Sequence, residues 1–457
     1  MKVVILGAGQ VGYSIARYLA AEENDITVVD QSAEVLRRIS DKIDVQPILG
    51  FASHPNVLKK ACAENADLLI AVTASDEVNM VACEVAHSLF GVKTKIARIR
   101  HQNYLTSENS AHFRQNMAID VTISPEVEVA KSLARSTKIA GAFEVISLAF
   151  DKVKVIGVRC HARSPILNTP LRLLSTQFLH LDLIIMCICR GDKIFFPNKD
   201  DLLEADDEVY FIARQGDVTA AMEAFGYFSE EKRKLIIVGG GNIGLGFAQE
   251  LEAQDSDIKV KIIEKNTDRS EAIAHILKST EVLNGDALDF DVLAEANVQE
   301  AETILALTDD DRVNILVSLL AKRQGAKRST SLLNKMTYAS LVTSLGVDAI
   351  ISPRVITVST ILQHVCQGRV RSVYSLAGGY AEVIEAEARE TSYIIGLTVE
   401  DVTVRDSIHV AAIIRGSEIT LNPARLIIGV GDTLILMVKR DCARKVEKLF
   451  SVRPSYL

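Results

Sequence analysis

Two glycine clusters carry the chemistry for which this sequence can be read. Gly7, Gly9 and Gly12 stand in GAGQVG with Ala8, Gln10 and Val11; Gly239, Gly241 and Gly244 stand in GGGNIG with Gly240, Asn242 and Ile243. Both spell G-x-G-x-x-G. In that spacing the first glycine permits a tight turn, the second lets backbone approach a pyrophosphate, and the third lets the next helix sit close to its strand. The free amides and positive dipole end of that helix then face the phosphates. Asp30 and Glu264 follow at about the 20-residue spacing at which a carboxylate takes ribose hydroxyls. Gln31 after Asp30 supplies no cation for a 2′-phosphate, so NAD or an adenine nucleotide is expected before NADP. Lys265 after Glu264 weakens that preference in the second copy.

Further residues fall where the strands of such a sheet end. Thr73 closes the apolar run Leu68 to Val72, at the sheet edge where ligands of open α/β sheets bind. Its hydroxyl and the backbone of Ala74 could meet ribose or phosphate. Equally, Thr73 could cap the helix that starts near Asp76 or Glu77, with Asp76, Glu77 and Asn79 as cap and helix surface. Arg98, in IARIR, ends another buried strand, where a guanidinium could grip a phosphate or join a surface ion pair. At the matching place the second half reads SLLNK, and Leu333 is expected to replace the cation. Thr308 corresponds to Thr73, and Asp309, Asp310 and Asp311 after it would repel added phosphates unless a cation intervened.

A catalytic set does not emerge. The nine histidines form no H-x-x-H or H-E-x-x-H, and G-x-S-x-G and P-loop motifs are absent. A dehydrogenase needs an acid–base group beside the nicotinamide, and no residue volunteers for it. His54 could touch a base edge, but reads more simply as a solvated loop residue. Cys187 and Cys189 share a strand face without a metal-ligand partner at suitable spacing.

These residues have to be positioned by strands and helices, and the patterning supplies them. VVIL and LIIV before the glycines are short apolar runs typical of strands buried on both faces of a parallel sheet. Ile15 and Leu19, four apart, give the following helix an apolar face. The repeat extends beyond the glycines. ADLLIAVTASDEVNM (66–80) parallels AETILALTDDDRVNI (301–315), TISPE (122–126) parallels IISPR (350–354), and ICRGDKIFF (188–196) parallels IIRGSEITL (413–421). Each half thus reads as a βα-repeat lobe followed by a smaller strand-rich lobe.

The expected fold class is α/β: two Rossmann-like, doubly wound parallel sheets, each followed by a small α+β lobe. The expected boundaries are 1–135 and 141–227, then 235–365 and 370–453, joined by the charged linker GYFSEEKRK (226–234). The length of 457 residues suits about three or four domains. A net charge of −8 argues against a nucleic-acid partner. No apolar run approaches the ~18 residues of a membrane helix, and Met1-Lys2 leads directly into a strand, leaving no room for a signal peptide. Seven scattered cysteines fit a reduced cytosolic chain, with disorder expected only in the C-terminal tail.

Together, ILGAGQVG with Asp30, AVTASDEVNM, ARIR and ISPE, with the duplicated VGGGNIG and LTDDDRVN, LLAKRQGAK and the RGSEI strands, resemble the TrkA family. Its members are cytosolic regulatory chains of bacterial Trk potassium uptake, built from two tandem RCK units (regulators of potassium conductance). The resemblance runs the length of the chain. It implies a homo-oligomer, a tetrameric ring, peripheral on the inner face of the plasma membrane beneath a potassium-translocating subunit. It also implies NAD(H) as cofactor and ATP or ADP as regulatory ligands, with no enzymatic activity. The positions it carries over are Gly7 to Gly12, Asp30, Thr73, Ala74 and Arg98, then Gly239 to Gly244, Glu264 and Thr308. Related lobes have Gly-Asp after the third strand, as in Gly285-Asp286, where the Asp serves the adenine. The first half has Gly50-Phe51, so an adenine contact at Phe51 is expected to be stacking or backbone. Two other readings compete: an NAD-dependent dehydrogenase with a duplicated cofactor domain, and a free-standing nucleotide or redox sensor.

Overall fold

The computed structural model describes residues 1–21, 24–105, 117–178, 181–191, 193–228, 233–254, 258–365, 370–376, 380–404 and 407–450. Residues 229–232 of the expected linker and the tail after 450 lie outside the described residues. The chain divides into two units, Met1–Glu128 with Pro353–Val365, and Val129–Ser352 with Cys366–Leu457.

The first unit is built on a parallel sheet of β1 (Lys2–Leu6), β2 (Asp25–Asp30), β3 (Gln46–Leu49), β4 (Leu68–Ala71), β5 (Thr94–Arg98) and β6 (Val121–Ile123), in the order β3-β2-β1-β4-β5-β6. This is the doubly wound order with its switch point between β1 and β4, directly above the glycine turn. Alternate residues of each strand feed two cores. Val3 and Ile5 pack on one face with Ile15 and Leu19, while Val4 and Leu6 pack on the other with Met80 and Cys83. Apolar runs without alternation are therefore what this sheet needs.

The helix Pro353–Val365 completes this unit from far along the chain. Ile361, Leu362 and Val365 join the core that holds Ile15 and Leu19. Chain order places this helix with the second lobe, yet its apolar face is taken up by the first sheet. The helix Pro125–Thr137 behaves in parallel fashion: in the second unit Ala130 lies against Gly246, where a Cβ would sit 3.5 Å away. Proline stands at the first position of both helices, where its missing N–H is no loss.

The second unit contains the equivalent parallel sheet and two antiparallel ones. β12 (Arg233–Val238), β13 (Ile258–Glu264), β14 (Glu281–Asn284), β15 (Thr303–Ala306), β16 (Arg328–Leu332) and β17 (Ala349–Ile351) follow the order β14-β13-β12-β15-β16-β17. The first small lobe holds β7 (Ala142–Leu148), β8 (Val153–Arg159), β9 (Leu183–Arg190), β10 (Lys193–Phe195) and β11 (Glu208–Arg214), ordered β10-β9-β11-β8-β7. β18 (Val370–Leu376), β19 (Ala381–Glu387), β20 (Ile408–Arg415), β21 (Glu418–Leu421) and β22 (Thr433–Lys439) repeat that topology in the second. The two small sheets share one core, in which Ile146, Val155 and Ile212 meet Val383, Ile414 and Met437.

The Arg-Gly motifs of the small lobes are structural. Arg190 and Arg415 end their strands, donating Nε and Nη2 to the buried carboxylates of Asp207 and Asp432, all at 2.8 Å. Gly191 and Gly416 then take the left-handed turn. Cys187 lies in the shared core and Cys189 packs against it. Among the described residues no helix is long and apolar enough to cross a membrane.

Candidate functional site

Each glycine turn is shaped by what surrounds it. Gly7 adopts φ +102°, and a Cβ there would come within 3.0 Å of the Thr73 backbone. On Gly12 a Cβ would overlap the carbonyl oxygen of Gly7, so the third glycine is what lets the helix Gln10–Ala21 approach the turn. A Cβ on Gly9 would meet nothing within 4 Å, leaving the backbone open to a ligand. Ala8 is buried, whereas Gly9 and Gln10 are exposed and Val11 half-buried at the helix start. Gly239, Gly241 and Gly244 reproduce the same three conditions, with Asn242 exposed and Ile243 half-buried. Gly240 is tighter than Ala8, since a Cβ would stand 2.5 Å from Ile273 Cδ1.

The two acids bind their own glycine loops. Asp30 Oδ2 accepts the Ala8 N–H at 2.7 Å and Oδ1 accepts the Ser32 N–H at 2.9 Å. Glu264 Oε2 accepts the Gly240 N–H at 2.7 Å and Oε1 accepts the Asn266 N–H at 2.8 Å. A carboxylate offers about four acceptor sites, so each retains capacity for ribose hydroxyls while being held in place.

Thr73 and Thr308 are each held by a buried asparagine, Asn79 and Asn314, the first of which sequence reasoning took for helix surface. Asn79 is 0% exposed. Its Oδ1 accepts the Thr73 N–H at 2.9 Å and the Thr73 hydroxyl at 2.7 Å, and its Nδ2 donates to the Arg98 carbonyl at 2.9 Å. Asn314 does the same for Thr308, at 2.9 and 2.7 Å, and donates to the Leu332 carbonyl at 3.0 Å. The capping alternative for Thr73 fails, because Ser75 caps the helix Asp76–Phe90 and the Thr73 hydroxyl is engaged by Asn79. Ala74 is exposed beside it. The repeated Thr-x5-Asn spacing was the available signal.

Arg98 differs from an exposed strand-end cation. It is 8% exposed, and Nη2 donates to the Thr73 carbonyl at 2.6 Å. Among the described residues its Nε has no hydrogen-bond partner, nor do the buried atoms Ser124 Oγ and Glu126 Oε2. Burial, assisted by Arg100, pushes the guanidinium pKa down to about 10, which still leaves it charged at neutral pH.

Register corrects one correspondence. Arg98 pairs with Ile123, and Leu332 pairs with Ile351, so Leu332 rather than Leu333 stands in the place of Arg98. Leu333 instead matches Ile99, both donating their N–H to the last residue of the neighbouring strand.

The aspartate run is also less repulsive than its composition suggests. Asp311 repeats the task of Asp76. Asp76 accepts the Arg100 and His101 N–H groups, and Asp311 accepts those of Asn334 and Lys335. Asp310 caps the helix Asp311–Arg323 and pairs with Arg312 at 2.6 Å, which holds its carboxyl at about 2. Phe51 is half-buried and its ring lies 4.8 Å from that of His54, so His54 is a ring partner. In the second half Asp286 is engaged by Lys265 at 2.8 Å.

Comparison with known proteins agrees with this architecture. The family model of the TrkA-N domain matches residues 3–125 and again 235–353, and that of the TrkA-C domain matches 383–451. The first small lobe has the topology of the second although only the second is matched. The chain is 44% identical to the Trk system potassium uptake protein TrkA of Azorhizobium caulinodans, with 99% of each chain covered. Its identity to the protein of that name from Vibrio alginolyticus is 37%, with 100% of each covered. Among solved structures, the GsuK channel bound to NAD is similar in fold at TM-score 0.59 and 16% identity, covering 98% of this chain and 78% of that one. Two TrkA-N matches spanning more than half the sequence, with full-length relatives of this identity, establish that the chain belongs to the TrkA family.

Proposed function

We propose that the chain is a cytosolic, nucleotide-binding regulatory subunit of a Trk-type potassium-uptake system, a regulator rather than an enzyme. NAD(H), and ATP or ADP as regulatory ligands, bind at the glycine turns, and their occupancy biases a membrane potassium-translocating partner. The observation that carries this reading is the coexistence of two complete glycine-turn sites in a chain that matches Trk system potassium uptake proteins end to end.

The residues fit a dinucleotide. Open backbone at Gly9 and Gly241 admits a pyrophosphate, and Gly12 and Gly244 bring the helix amides close to it. Asp30 and Glu264 are already oriented by loop N–H groups and keep acceptors for ribose hydroxyls. Thr73 and Thr308, locked by Asn79 and Asn314, present the opposite wall. When bound, NAD(H) acts here as a signal. The chain contributes binding and orientation, and a bound nucleotide shifts the conformational equilibrium only by its unequal affinity for the two states. The proposed assembly is a homotetrameric ring at the inner face of the plasma membrane.

The test is binding without turnover. The purified chain should bind NADH and leave it unoxidised with common hydroxy- and oxo-acids present. Asp30→Ala should weaken NADH by about 1.5–3 kcal/mol, the range for hydrogen bonds to charged groups. Sustained NADH oxidation abolished by a glycine-turn variant would point to a dehydrogenase. Failure to co-purify with native membranes would point to a free-standing sensor.

A further inference from the structure

The two glycine sites share one scaffold, and one of their differences lies in the helix that follows the acid. In the first half Asp30 accepts the Ser32 N–H, and Ser32 caps the next helix by accepting the Val35 N–H at 3.3 Å. In the second, Glu264 accepts the Asn266 N–H, and Asn266 caps its helix by accepting the Arg269 N–H at 2.8 Å. Val35 and Arg269 therefore occupy the same helical position. Val35 has no polar group. The Arg269 side chain turns back to the glycine loop and donates Nε to the Gly240 carbonyl at 2.9 Å. Gly240 is thus held on both sides, with its N–H on Glu264 and its carbonyl on Arg269.

A guanidinium has five N–H donors in a planar fork. Only Nε is spent on Gly240, and among the described residues Nη1 and Nη2 have no hydrogen-bond partner. Arg269 and the Glu264 carboxylate thus engage the two ends of the same loop residue, Gly240. This second pocket has Leu332 in the place of Arg98. A cation is present there after all, delivered from the other side of the turn.

We propose that Arg269 is the phosphate-reading residue of the second site, taking an oxygen of a phosphate group attached to the adenosine ribose that Glu264 holds. The proposal rests on the nucleotide reading of that loop. Its fork suits a phosphate in bidentate fashion, and the phosphate is either the 5′-phosphate common to NADH and ADP or the 2′-phosphate of NADPH. The first site, with Val35, reads its phosphates through the turn amides and Arg98.

The experiment uses the full chain carrying Asp30→Ala, which weakens the first site, with NADH, NADPH and ADP titrated by calorimetry. Arg269→Leu should weaken binding by at least ~10-fold. Arg269→Gln, which keeps a donor able to reach the Gly240 carbonyl but carries no charge, should lose nearly as much. Equal losses for all three ligands identify the 5′-phosphate, and a loss confined to NADPH identifies the 2′-phosphate; either supports the assignment. Full affinity in Arg269→Leu, or in Arg269→Gln alone, overturns it while Glu264→Ala still abolishes binding, because Arg269 is then only a tie to Gly240. No second-site binding of any of the three ligands in the parent overturns the nucleotide reading of this loop and the proposal together.

Discussion

Arg354 donates Nε and Nη2 to the hydroxyl oxygen of Ser14, at 3.0 and 2.6 Å, across 340 positions of chain. Ser14 belongs to the helix that starts at the first glycine turn, and Arg354 stands second in the helix arriving from the second half. Burial, with Arg17 nearby, lowers the pKa of Arg354 against the opposing effect of Tyr13, and the Ser14 hydroxyl is its direct partner. Arg354→Ala and Ser14→Ala should each lower stability by about 1–2 kcal/mol, and the double variant should lose less than the sum. A coupling below ~0.5 kcal/mol in urea unfolding would mean that Ile361 and Leu362 hold the helix unaided.

What was legible in the sequence is what neighbouring residues decide. Apolar runs, glycine turns and the terminal acids are short-range features, and each lies where the spacing put it. The place of the helix Pro353–Val365 was not legible, because chain order puts it with the second lobe whereas Ile361, Leu362 and Val365 join the core of the first. Asn79 was misread because an asparagine in a helix usually faces water; here the strand end supplies an N–H, a hydroxyl and a carbonyl that only an amide can satisfy together. Leu332 and Leu333 are indistinguishable by composition, and only register separates them. Arg269 carries no motif of its own, and only the contact of its Nε with the Gly240 carbonyl marks it.

Both parallel sheets place an ammonium over the same carbonyl and carboxylate, but take it from different residues. Lys95, 3% exposed, rises from β5 to the Val92 and Lys93 carbonyls at 3.0 and 3.2 Å and to Asp120 at 2.8 Å. In the second half that strand position is Ser329, and Lys322 from the helix reaches the Lys327 carbonyl at 3.0 Å and Asp348 at 3.1 Å. Lys95→Met leaves the buried Val92 carbonyl and the Lys93 carbonyl without this donor and should cost about 1–3 kcal/mol. Lys322 is 30% exposed, and water can replace it. Lys322→Met should therefore cost under about 1 kcal/mol. Equal losses in denaturant unfolding would remove the distinction drawn here from burial.

The first small lobe should lose stability as pH rises through neutrality. Burial pushes the Glu144 carboxyl up to about 7, against a hydrogen bond from Tyr210 and with the charge of Glu208 adding to the rise. In the unfolded chain that carboxyl titrates near its ordinary value of 4.5. Between these values the folded state holds a proton that the unfolded state has released, so stability falls with rising pH. The contribution is complete below about 4.5 and gone above about 7. Wild type should lose about 1–3 kcal/mol between pH 5 and pH 8 relative to Glu144→Gln, whose side chain stays neutral. Parallel urea midpoints for the two proteins across that range would exclude a protonated Glu144 in the folded state.

The two sites should respond unequally to nucleotides with a free terminal phosphate, and Arg98 is the reason on the first side. Its Nη2 is committed to the Thr73 carbonyl while its Nε has no partner among the described residues, so a donor of a buried, charged guanidinium remains for a ligand. A terminal phosphate concentrates negative charge, and a charge-assisted hydrogen bond from a desolvated arginine is strong. A dinucleotide carries its phosphates in the middle and depends less on that group. Leu332 gives the second site nothing equivalent on this strand. Arg98→Ala should therefore weaken ATP or ADP by more than ~1.5 kcal/mol, and Arg98→Lys should not restore it, since a point charge lacks the fork that spans Thr73 and a ligand together. Glu264→Ala should leave ATP affinity nearly unaltered. In a potassium-flux assay the Arg98→Ala chain should still assemble but lose nucleotide control. If ATP affinity instead collapses only on changing Glu264 or Gly241, the roles assigned to the two halves are reversed.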